Sequence, residues 1–159
     1  MSQDVNAYLT FSIGDNVFGV HVEKVIEIKE YEAPKSVPES MAYMKGVTEH
    51  REQVIPVIDA AAKFNLGEVV ITPQSCCVVL EIDKADGSGV MHIAILVDAV
   101  SDVFEADDSK LKAIETDYKP GYILASYQRN EELVMILNAD MIFSEKDIIS
   151  IDEVLKSIK

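Results

Sequence analysis

No apolar run in this sequence approaches the ~18 residues that a membrane-spanning helix requires, and no signal peptide opens it. The expectation is a cytoplasmic protein. Cysteine is scarce, and the two present, Cys76 and Cys77, are neighbours. Adjacent strand residues point to opposite faces, so the thiols are expected to stay unbridged and buried in a reducing compartment. Basic residues are few: 14 Lys and Arg stand against 28 Asp and Glu, a net charge of −14. That balance repels phosphate backbones and anionic lipid. It argues against nucleic-acid binding and direct membrane insertion, and leaves a basic partner surface open. The three histidines, His21, His50 and His92, fall in separate elements without metal-ligand spacing to Cys or Asp. A phosphate-cradling glycine loop, a G-x-S-x-G and an H-E-x-x-H are all missing. The sequence therefore predicts no metal, nucleotide or other cofactor.

What is present is a succession of about ten short strands with turn signals between them. Ala7–Ile13 turns through Gly14-Asp15-Asn16 into Val17–Val20. One helical turn from His21 leads into a strand ending near Tyr31, and Glu39–Met44 reads as a short helix. Cys76–Ile82 and Val90–Val97 are apolar strands joined by an Asp- and Gly-rich turn. Lys119-Pro-Gly121 is a turn, and Tyr122–Tyr127 and Leu133–Leu137 flank a hairpin tip. Asn138 is expected to cap a short helix to Phe143. A C-terminal helix is assigned to 146–159, where Ser150-Ile-Asp-Glu153 has capping-box spacing. Its face would be Ile151, Val154, Leu155 and Ile158. This rhythm predicts a mainly β sandwich or barrel rather than alternating α/β, with no helix longer than ~10 residues. An apolar seam is expected from Ile55, Val57, Val79, Ile95, Val97 and Ile136. The divisions expected are a flexible 1–6, a domain over 7–145 and the helix.

The stretch from Tyr43 to Asp59 is the most informative. Gly46 interrupts its first strand, which marks a bulge or a close approach by another backbone. Glu49-His50-Arg51-Glu52 is a charged corner, with His50 read as a solvated turn residue. Pro56 cannot donate to a sheet ladder, so the second strand is expected to be an edge or to bend there. Asp59 reads as the N-cap of a helix Ala60–Leu66 that Gly67 closes.

Several of these segments, in order over about residues 7–145, resemble the CheW-type chemotaxis coupling proteins. They are Leu9-Thr-Phe-Ser-Ile-Gly14, Phe18-Gly-Val-His-Val-Glu-Lys-Val-Ile-Glu-Ile28, Met44-Lys-Gly-Val-Thr48 with Arg51 and Val54-Ile-Pro-Val-Ile-Asp59, Val97-Asp-Ala-Val-Ser-Asp-Val103, and Leu133-Val-Met-Ile-Leu-Asn138. The resemblance implies two small five-stranded, SH3-like β-barrel subdomains packed on a shared hydrophobic core, with short helices. It implies a non-enzymatic adaptor, without cofactor, coupling chemoreceptors to the histidine kinase CheA. The implied partners are the CheA regulatory domain and the chemoreceptor cytoplasmic tip, so that the protein associates with membrane receptor arrays through them. Carried over residue by residue, Glu27 and Arg51 match an acidic–basic pair near the binding surface. Val25, Gly46, Val100 and Val103 match positions implicated in kinase or receptor contact. The chain departs from the family pattern at the corner, where the usual Asn-Leu-Arg-Gly is Glu49-His50-Arg51-Glu52. It departs again at Ala60-Ala61 and at Ala125-Ser126-Tyr127.

Two other readings stand beside the adaptor. One is the N-terminal domain of a CheV-type coupling protein. The other is a small hydrolase using His50, or Asp98 with Asp102 four residues on as an acid pair. Asp98 is better explained as ordering its turn by accepting backbone hydrogen bonds.

Overall fold

The computed structural model describes residues 6–38, 40–84, 86–114 and 121–158. The expected frayed residues 1–5 and most of the turn at Lys119 and Pro120 lie outside them. Strands β1 (Ala7–Ile13) and β2 (Asn16–His21) form the first hairpin, turned by Gly14 at φ 60°. A single 3-10 turn, Val22–Lys24, then delivers the chain into β3 (Val25–Glu30). Strands β4 (Met44–His50), β5 (Gln53–Asp59), β6 (Cys76–Asp83) and β7 (Val90–Val97) follow. With β3 they make a five-stranded sheet of order β3-β6-β7-β5-β4.

After β7 a single residue, Asp98, separates the chain from β8 (Ala99–Glu105), which belongs to the other sheet. That sheet takes β9 (Lys112–Ala113), β10 (Ile123–Arg129) and β11 (Glu132–Leu137) and has the order β8-β1-β2-β11-β10-β9. The protein is mainly β, two small subdomains of five and six strands; the sixth strand is the two-residue β9. Each sheet has one parallel pair, β5 with β7 and β11 with β2.

Burial explains why the sheets stay together. The larger core joins Leu9, Phe11, Ile13, Phe18 and Val20 of one sheet to Ile58, Val78, Leu80, Ile93 and Ile95 of the other. Ile58, Leu80 and Ile93 are fully buried, and each such side chain contributes ~1.5–3 kcal/mol relative to exposure. The expected seam residues Ile55, Val57, Val79, Ile95 and Val97 all lie in this core. Ile136 does not: it fills a separate cluster with Tyr8, Ala125, Tyr127 and Val134 inside the six-stranded subdomain. Its neighbours Met135 and Leu137 face the large core, so Ile136 points to the opposite face of the same strand.

The helices correct the sequence reading in three places. Asp59 caps its helix as expected, accepting from Ala62 N at 3.1 Å, but α1 spans only Ala60–Lys63. Asn65 adopts φ 60° just beyond and stops it. Met44 begins β4 and no helix forms over the described part of 39–44, because Met44 N already bonds Met41 O in a turn. The C-terminal helix α2 runs Glu145–Ser157, longer than the ~10-residue limit set from periodicity. Its capping box is Ser144 with Asp147, not Ser150 with Glu153, which lie inside it. Phe143 and Ile148 flank that start and both enter the large core, fixing the entry of the chain.

Pro56 is also placed differently. β5 is an interior strand, not an edge. Pro56 lies opposite Val47, whose N–H and C=O both bond Lys35 on the far side, at 2.8 and 2.9 Å. Pairing with β7 begins only at Val57. The missing proline donor therefore sits outside both ladders.

Candidate functional site

The two edge strands of the five-stranded sheet, β3 and β4, meet through side chains. Glu27 of β3 reaches His50, the last residue of β4, with Oε1 3.3 Å from Nδ1. Alongside, Lys29 Nζ donates to the Glu49 carbonyl at 3.3 Å. His92 of β7 stands edge-on to His50 at 6.2 Å between ring centroids and pairs with Glu81 of β6. The curl of the sheet thus brings five titratable side chains from four strands together. His50 is 3% exposed, so the reading of it as a solvated turn residue is wrong. Burial, first of all, lowers its proton affinity, while Glu27 raises it. Arg51, Lys29 and His92 lower it further.

Next to His50, Arg51 and Glu52 take φ 52° and 66°. Two successive left-handed residues between paired strands make a type I′ turn, which matches the twist of a hairpin. Neither residue is glycine, so the turn is held by the strands it joins. Arg51 is exposed and forms no ion pair among the described residues. The implied Glu27–Arg51 pair is absent among the described residues; Glu27 stands against His50.

Gly46, four residues before the turn, is buried at a bulge with φ 151°. A Cβ there would stand 2.2 Å from the Lys35 carbonyl oxygen. The close approach expected of this glycine is present, and it gives Gly46 a packing role. Val25, on β3, is half-buried against the large core.

The remaining candidates lie on the other sheet, along its edge strand β8. Val103 is 56% exposed and Val100 is partly buried against the large core. Between them Asp102 sits in a bulge, where Ser101 and Asp102 both face Thr10 of β1. The fully buried Thr10 hydroxyl donates to Asp102 Oδ1 at 2.7 Å and accepts from Asp102 N at 3.1 Å. Arg129 grips the same carboxylate in bidentate fashion, at 3.1 and 2.9 Å, and lies over the Phe104 ring at 4.3 Å. Arg129, and secondly Thr10, hold the Asp102 carboxyl down to about 2. The sequence reading singled out Val103 but missed this clamp. An isolated arginine at a hairpin tip gives no sign of the strand it will face.

Chemically the molecule offers little beyond recognition. Asp98 Oδ2 accepts from Gly14 N at 2.6 Å, so it orders the turn of the first hairpin rather than its own. Asp98 and Asp102 are engaged with different partners and share no proton as an acid pair would. Burial pushes the Cys77 thiol up to about 11, which leaves it a poor nucleophile. Among the described residues no group of three or more His, Cys, Asp or Glu is arranged to hold a metal. No helix of the described residues is long and apolar enough to cross a membrane.

Comparison with known proteins agrees with this architecture. The chain matches the CheW-like domain over residues 7–147. It is 26% identical over 150 residues to a probable chemotaxis protein CheW of Rhizobium etli, covering 92% of this chain and 93% of that protein. The chemotaxis protein CheW of Klebsiella aerogenes is 25% identical over 157 residues, with 94% and 89% covered. The crystal structure of the scaffolding protein TtCheW from Thermoanaerobacter tengcongensis has the same fold, with a TM-score of 0.79. It is 20% identical, and the match covers 93% of this chain and 95% of that one. With the match spanning nearly the whole chain, this protein belongs to the CheW-like domain family, as a non-enzymatic scaffold of chemotaxis signalling.

Proposed function

We propose that this chain couples the cytoplasmic tip of chemoreceptors to the regulatory domain of the histidine kinase CheA, in the cytoplasm at membrane receptor arrays. The observation that carries this reading is the placement of the candidate residues. Val25 and Glu27 on β3, Gly46 on β4, and Val100 and Val103 on β8 all lie on edge strands, and Arg51 lies on the turn leaving β4. An edge strand presents unpaired backbone groups and is a natural place for another protein to add contacts. The edges belong to different sheets, so each partner would have its own strand to meet. Glu27, Arg51 and Val103 supply exposed chemistry, and Gly46 and Val25 support the strands beneath. A free arginine in a chain of net charge −14 is well suited to finding an acidic partner group.

The test is a titration of the protein against the CheA regulatory domain and, separately, against a soluble receptor tip. Arg51→Ala and Val103→Asp are each expected to weaken at least one association about tenfold or more. Both variants binding each partner as wild type does, across a salt series, would overturn the assignment.

A further inference from the structure

His50, the last residue of β4, does something an apolar side chain of its size cannot. It is 3% exposed, its Nδ1 lies 3.3 Å from Glu27 Oε1, and its buried Nε2 has no hydrogen-bond partner among the described residues. Together these facts select one form of the ring. A carboxylate only accepts, so this contact is favourable with the hydrogen on Nδ1. Nε2 is then a bare acceptor. Leaving a lone pair unpaired in that place costs less than burying an N–H donor or a positive charge there. The groups facing the ring are Glu27 and Lys29 from β3, Arg51 from the turn and His92 from β7, which is itself paired with Glu81 of β6. Three of these are cationic or can become so, and burial acts in the same direction, keeping the imidazole neutral.

Glu27 is therefore held by a neutral donor. Its side chain remains 38% exposed at the β3–β4 seam. An arginine in that role would have neutralised it. We propose that His50 is a positioning residue: it fixes the Glu27 carboxylate, still charged, in the orientation that a basic group of the partner meets. The arrangement also leaves Arg51 unpaired, so the same corner presents an anion and a cation side by side. A carboxylate already immobilised by its own protein loses less freedom on association than a mobile one. This inference rests on the reading that Glu27 contacts a partner.

The experiment compares wild type, Glu27→Ala, His50→Leu and His50→Asn in titrations against the CheA regulatory domain and the soluble receptor tip. It is joined by nitrogen-15 NMR of the imidazole in the full chain. Leucine fills the volume without a donor, whereas the asparagine amide places a donor near Nδ1. His50→Leu is expected to weaken one association about fivefold, and His50→Asn to stay within about twofold of wild type. The spectrum should show hydrogen on Nδ1 and a bare Nε2 at pH 7. Glu27→Ala binding both partners as wild type does would remove the functional reading itself. Glu27→Ala weak but His50→Leu unchanged would overturn the positioning role alone. Equal losses for leucine and asparagine would mean that the ring matters only as packing, which also overturns it. If His50→Leu does not fold, the asparagine titration and the ring spectrum decide. Hydrogen on Nε2 would refute the proposal.

Discussion

Arg51 and Arg129, the only two arginines of the chain, both border the surfaces proposed for partners, and both sit at hairpin ends. Their circumstances differ completely. Arg129 is clamped on Asp102 by two hydrogen bonds and laid over Phe104. Arg51 has no ion pair among the described residues, and the Glu27 carboxylate stands against His50. The lesson is that the neighbour decides the role. A bulge in β8 turns Asp102 toward the β10–β11 hairpin and makes Arg129 a fastening between strands. A neutral histidine one residue before Arg51 takes the Glu27 carboxylate and leaves the guanidinium for another molecule.

The most damaging way to break this contrast is to remove the ground beneath Arg51. Gly46→Ala forces a Cβ toward the Lys35 carbonyl at a left-handed φ, and about 3 kcal/mol of stability should be lost. Chemical denaturation measures it, and a loss below about 1 kcal/mol would contradict the close packing described. Arg51→Ala tests the free cation directly. Partner affinity should fall by about 2 kcal/mol while folding stability moves by less than about 0.5 kcal/mol. Arg129→Ala should give the opposite pattern, about 1 kcal/mol of stability lost with a smaller change in binding. The loss stays modest because Asp102 is half exposed and the pair is screened. If the two alanine variants behave alike, the contrast fails.

Acid sharpens the same comparison more gently. The Asp102 carboxyl is lowered in the folded state, so its contribution is present above the unfolded carboxylate range and is lost as pH falls from ~4 toward about 2. Arg129→Ala should shrink that acid-labile part of the melting curve. His50 is also lowered, but it is a base, so the unfolded chain binds the proton first. Stability is therefore whole above the unfolded histidine value of ~6.5 and declines as pH falls below it. His50→Asn should flatten the melting temperature between pH 7 and 5, measured beside wild type. An unchanged slope would mean that the ring is not held neutral.

Features that depend on near neighbours along the chain are legible in the sequence. The cap at Asp59, the turn at Gly14, the close approach at Gly46 and the run of strands follow from residue type and local pattern, whereas Asp98 orders a turn 84 residues away in the chain. Features that depend on how a sheet curls are not. His50 reads as solvated because the residues around it are charged, yet the meeting of β3 with β4 buries it. Ile136 reads as seam because it is apolar, but both faces of its strand are buried, and the large core takes Met135 and Leu137 instead. Ser144 and Ser150 offer similar capping spacings, and the choice falls to the tertiary packing of Phe143 and Ile148. The family likeness locates the corner, but it carries over an ion pair that this chain has exchanged.

The order of strands along the chain also sets an order of assembly. All five strands of one sheet come from the uninterrupted stretch Val25–Val97, whereas the other sheet draws on both flanks and cannot seat β2 beside β11 until Glu132–Leu137 has been made. During synthesis the first sheet has every partner it needs while the opening hairpin still waits on the ribosome for its neighbours. Pairing between distant segments is slow because the intervening chain must first be closed into a loop. Pulse-labelled hydrogen exchange on refolding should accordingly show β6 and β7 protected before β11, and simultaneous protection would mean that the two sheets form as one. On this order the corner carrying Arg51 forms first, and the pairing of β2 with β11 last.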